Sequence, residues 1–93
     1  MDTKIKIEKI LFEAFLPEFM RVTDESAAHA GHAQAKVNGG GHFSVLIVSR
    51  KFKDLSLLQR HRLVYQAVGK ELKTEIHALA IDARTSEEFQ NGN

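Results

Sequence analysis

Imidazole is the ligand this chain offers a transition metal in place of thiolate. Five histidines, His29, His32, His42, His61 and His77, stand among 93 residues that include no cysteine. Without thiolates the chain alone cannot build a cysteine-ligated zinc site or iron–sulfur cluster. Transition-metal chemistry must therefore pass through the histidines, which ligate in their neutral form. His29 and His32 lie three apart in a segment without apolar periodicity, and His42 stands at its exit. Zinc held by His29, His32 and His42 is one reading of that spacing, although it lacks a fourth ligand. His61 falls on the apolar stripe of an expected helix, which suits a partly buried ring bonded to backbone or carboxylate. His42 opens an apolar run, where local hydrogen bonds account for it. His77 shares an expected strand face with Leu79 and Ile81 close to the strand's start, so spacing alone makes it a boundary core residue.

The second chemical feature is basic. Arg50, Lys51 and Lys53 precede a helix on which Arg60 and Arg62 are expected to face outward, and such a cluster can contact phosphates. A solvated helix face is the alternative. The turn Phe52–Leu55 contains no glycine, which argues against the Gly-x-x-Gly clamp of RNA-binding KH domains. No serine or threonine has a histidine and carboxylate arranged for nucleophilic catalysis. Gly39, Gly40 and Gly41 precede a strand rather than follow one, unlike a phosphate-binding loop. The chain reads as a non-enzyme.

These residues need elements to position them. Ile7, Ile10, Leu11, Ala14 and Phe15 form one stripe at helical spacing, predicting a helix over residues 4–16 that ends before Pro17. Asp2 or Thr3 can accept from its free N–H groups. Met20 and Val22 alternate with Arg21 and Thr23, predicting a strand from Phe19 to Asp24. A long loop of about residues 25–41 follows, and Asn38-Gly39-Gly40-Gly41 reads as flexible backbone. Phe43 to Val48 is nearly continuous in apolar residues, the pattern of a central strand. Phe52 is placed to dock back on the core. Ser56 and Gln59 form a capping box that opens a helix running to about Lys73, with Leu57, His61, Val64, Val68 and Leu72 facing inward. A last strand from Ile76 to Ala83 leads to a short helix capped near Thr85. Strand, helix and strand then make a right-handed crossover with parallel strands, and the earlier strand pairs antiparallel.

A hydrophobic content of 43% with 27% charged residues fits one folded domain spanning residues 1–93, with an ordered core of about 4–89. The formal net charge of +1 sets up no global field toward nucleic acid or membrane. No secretory signal or membrane-length apolar run is apparent, which points to the cytoplasm.

Several motifs in order carry a more specific signal. His42-Phe43, then the turn from Ser49 to Phe52, then Arg60-His61-Arg62 and His77-Ala78-Leu79 together resemble the BolA family. The resemblance covers roughly residues 5–89. It implies an α+β, class II KH-like BolA fold in α-β-β-α-β-α order, a three-stranded mixed sheet with helices packed on one face. It also implies a monothiol glutaredoxin partner, with which BolA-like proteins share a 2Fe-2S cluster in cluster trafficking or in iron, redox and stress regulation. The family position of the cluster ligand falls on His77. A second ligand in the family is a loop cysteine or histidine. With no cysteine the chain resembles the histidine subtype, in which His29 matches best and His32 is a reserve. Glutaredoxin and its glutathione would supply the sulfurs, so no cluster is expected to stay bound to the chain alone. Some family members regulate transcription, which keeps DNA as a partner through Arg50, Lys51, Lys53, Arg60 and Arg62. A homodimer of the free protein is left open, and no membrane partner is implied.

Overall fold

The computed structural model describes residues 2–26 and 41–92. Helix α1 (Thr3–Phe15) begins at Asp2, whose carboxylate accepts from the Ile5 N–H at 2.9 Å. It ends where Leu16, before Pro17, takes a left-handed conformation with φ of 46°. Strands β1 (Phe19–Asp24) and β2 (His42–Val48) pair antiparallel, from Phe19 opposite Val48 to Asp24 opposite Phe43. A 3-10 turn, Arg50–Phe52, leads to helix α2 (Leu57–Leu72). Strand β3 (Ala78–Arg84) returns parallel to β2, from His42 opposite Ala78 to Val48 opposite Arg84. Helix α3 (Ser86–Gln90) closes the chain. The element order and the sheet order β1-β2-β3 match the sequence expectation.

One face of the sheet carries the core. Val22, Phe43, Val45, Ile47, Leu79 and Ala83 pack with Ile7, Leu11 and Phe15 of α1 and with Val64, Val68 and Leu72 of α2. Phe52 docks into this core as expected, fully buried, its ring 5.1 Å from that of Phe15. The other face is open, with Arg21, Thr23, Ser44, Leu46, Ala80 and Asp82 lining a shallow surface. The capping box at Ser56 and Gln59 is present in both directions.

The inward stripe of α2 differs from the expectation. Arg60, Val64, Val68 and Leu72 are buried, whereas Leu57 is 76% exposed and His61 is also exposed. At 3.6 residues per turn, a strict i, i+4 series drifts about 40° around the helix at each step. The contact line therefore runs diagonally along α2. His61 sits near the start of the helix, where that line still lies on the Arg60 side. Leu57, in the first turn, also lies off that line.

Candidate metal-binding site

His77 does not lie in the last strand, as the expected span Ile76–Ala83 had it. The N–H groups of Glu75 and Ile76 both donate to the Leu72 carbonyl, at 3.0 and 3.2 Å, and the turn that follows α2 runs through Glu75. The N–H groups of His77 and Ala78 then both donate to the Gly41 carbonyl, at 2.8 and 3.2 Å. The parallel ladder opens at Ala78. His77 is thus an exposed residue on a short connection at the sheet's end, with its backbone tied to the residue before β2.

That tie brings a second histidine to the same place. The His42 ring lies 6.4 Å from the His77 ring, centroid to centroid, and 18° from parallel. The backbone under His42 is held from β1. Ser26 Oγ accepts from the Gly41 N–H at 3.0 Å and the His42 N–H at 3.3 Å, while Glu25 N–H donates to the His42 carbonyl at 2.7 Å. Ser26 N–H in turn donates to Asp24 Oδ1 at 2.9 Å. These bonds from Ser26 hold the Asp24 carboxyl below the usual range.

Gly41 was expected to be flexible backbone with the rest of its glycine run. Both its amide and its carbonyl are bonded, and its φ is +84°, a conformation that favours glycine. The connection before His77 is also anchored. Glu75 Oε1 accepts from Lys6 Nζ at 3.0 Å and from Thr3 Oγ1 at 3.2 Å, fixing the turn to the start of α1. The Lys6 ammonium, through that hydrogen bond, holds the Glu75 carboxyl below its ordinary range.

The described residues thus supply two adjacent imidazoles and no thiolate. Among them no group of three or more metal-binding side chains is placed to hold an ion. His29 and His32, and with them most of the expected loop, lie outside the described residues. His61 stands apart, its ring 5.2 Å from that of Tyr65.

The basic group divides. Arg50, Lys51, Lys53 and Arg62 are exposed, but Arg60 is only 5% exposed. Its guanidinium donates to the Leu55 and Ala83 carbonyls, at 3.1 and 3.0 Å, and to both Glu88 oxygens. Its expected outward position is corrected, and its donors already serve β3, α3 and the turn before α2. Lys51 Nζ donates to the Ala14 carbonyl near the end of α1 at 3.2 Å.

A three-stranded mixed sheet with helices on one face defines a small α+β domain, and at the sheet's end it presents two imidazoles side by side. The chain belongs to the BolA family: the model of the BolA-like protein family matches residues 11–88. The DNA-binding transcriptional regulator BolA of Vibrio cholerae is 42% identical over 94% of this chain and 78% of its own length. BolA-like protein 1 of Homo sapiens is 42% identical over 89% of this chain, which spans 58% of that relative's length. Among solved structures, BolA1 from Arabidopsis thaliana superposes with a TM-score of 0.81 at 37% identity, covering 95% of this chain and 96% of that one. Yeast Fra2 gives a TM-score of 0.65 at 30% identity, covering 96% and 84%. No described helix is long and apolar enough to cross a membrane.

Proposed function

We propose that the chain is an adaptor, not an enzyme, that binds a monothiol glutaredoxin and co-ligates a 2Fe-2S cluster in iron–sulfur trafficking or iron and redox regulation, in the cytoplasm. The observation that carries the proposal is the exposed His77 ring, backed by His42, at the end of the sheet in a chain without thiolates. The donor set fits a shared cluster. Two imidazoles on one iron are an established alternative to thiolates, provided sulfur ligands come from elsewhere. Glutaredoxin and glutathione supply those sulfurs. His77 is the first imidazole ligand and His29 the second, with His32 in reserve. His77 contributes by presenting a backbone-fixed ring to the partner's face.

Titrating cluster-loaded monothiol glutaredoxin with the chain, followed by visible absorption and circular dichroism, tests this reading. A changed spectrum that saturates as the two proteins pair is expected. An unchanged spectrum contradicts it.

A second reading, DNA binding in transcription regulation, is favoured by the exposed Arg50, Lys51, Lys53 and Arg62 and by the likeness to the DNA-binding transcriptional regulator BolA of Vibrio cholerae. It needs neither glutaredoxin nor His77.

A further inference from the structure

We propose that Gly41 is a positioning residue for His77: the space left by its missing side chain is where the imidazole lies, and its carbonyl holds the backbone beneath the ring. This inference rests on the reading of His77 as a ligand and adds a residue to it. A Cβ at Gly41 would lie 2.8 Å from the Glu75 carbonyl oxygen, 3.1 Å from His77 Cδ2 and 3.2 Å from the His77 nitrogen. The Glu75 contact is to backbone, and Lys6 and Thr3 hold the Glu75 side chain from α1, so that side of the turn has little freedom to retreat. The ring is the more mobile neighbour. A side chain at position 41 displaces it, and the strain of φ near +84° in a non-glycine residue adds to the displacement.

Gly41 is itself held. Ser26 Oγ accepts from the amides of Gly41 and His42, and the Gly41 carbonyl accepts from the amides of His77 and Ala78. The brace runs from the end of β1 through Ser26 and Gly41 to His77, and it carries His42 to its stacked position. A ligand ring whose supporting contacts are fixed in this way arrives at the metal already oriented.

The test uses the full chain with Gly41→Ala, Ser26→Ala and Ser26→Thr. In the metal-free protein, the ring carbon–proton resonances of His42 and His77 report ring placement, and the amide spectrum reports the fold. Gly41→Ala is expected to keep the fold and shift both rings. It is also expected to weaken the cluster-bearing complex with glutaredoxin roughly tenfold, the low end of the cost of losing a ligand's supporting contacts. Ser26→Ala should shift the same resonances less, and Ser26→Thr, which keeps the hydroxyl, should restore them. If Gly41→Ala fails to fold, the two Ser26 variants decide alone. Unshifted His77 ring resonances in the folded variants overturn the proposal, as does a Ser26→Thr protein that behaves like Ser26→Ala. Because ring placement is read without a cluster, a shifted ring in Gly41→Ala together with a His77→Ala protein of unchanged cluster spectrum would sustain the positioning role and remove the cluster reading.

Discussion

Arg60 and Glu88, 28 positions apart, meet in a two-bonded ion pair, with Nη1 2.6 Å from Oε1 and Nη2 3.1 Å from Oε2. The pair joins α2 to α3. Arg60 also bonds the carbonyls of Leu55 and Ala83, and Glu88 Oε1 accepts the Thr85 N–H at 2.9 Å. Arg60→Ala strips two carbonyls of their donor as well as breaking the pair, and should lower stability by about 3 kcal/mol in denaturant titrations.

Glu88 gives that pair a pH dependence. The Arg60 guanidinium, with the Thr85 amide, pulls its carboxyl from 4.5 down to about 2. A carboxyl depressed in the folded state stabilises above its unfolded value, and that stability is lost as pH falls from about 4.5 toward 2. The Glu88 side chain is 42% exposed, so solvent screens the effect and it stays modest. Urea unfolding across this range should show a steeper acid loss for the wild type than for Glu88→Gln.

Ser56 opens α2 by accepting from the Gln59 N–H at 3.1 Å, while Gln59 Oε1 accepts from the Ser56 N–H at 2.8 Å. Ser56→Ala should cost about 1 kcal/mol. Phe52→Ala, at a fully buried ring tilted 36° against that of Phe15, should cost about 3–5 kcal/mol. Thermal unfolding of both variants checks the order, which the account fixes as Phe52 above Ser56.

The elements legible from sequence were those defined by neighbours along the chain. Alternation around Val22 marked β1, Pro17 marked the end of α1, and Ser56 with Gln59 marked the start of α2. Residues whose placement depends on distant partners were not legible in this way. Arg60 looked like a surface cation because its carboxylate partner lies in a later helix. His61 looked buried because a stripe drawn along the helix axis ignores the drift of an i, i+4 contact line. Gly41 looked like the last of three flexible glycines, since nothing local reveals that its carbonyl receives two amides from beyond α2. The motif pattern nevertheless singled out His77, even though the strand proved to begin one residue after it.

In the second reading, DNA binding should depend on the exposed cations. Arg50→Ala, Lys51→Ala, Lys53→Ala and Arg62→Ala should each weaken binding and reduce the salt slope by about one. Arg60→Ala should act through stability instead. Fluorescence anisotropy with labelled duplex at several salt concentrations distinguishes the two, and binding indifferent to all four exposed cations would leave the adaptor reading alone.

The central claim is that His77 ligates a cluster shared with a glutaredoxin. Visible circular dichroism of cluster-loaded monothiol glutaredoxin, titrated in parallel with the wild-type chain and with His77→Ala, tests it most directly. The account predicts that the wild type converts the spectrum to that of a mixed imidazole–sulfur cluster. His77→Ala should leave the glutaredoxin spectrum unconverted or bleach it quickly, while the metal-free proteins still pair. A His77→Ala protein that yields the wild-type spectrum with wild-type persistence would contradict the claim.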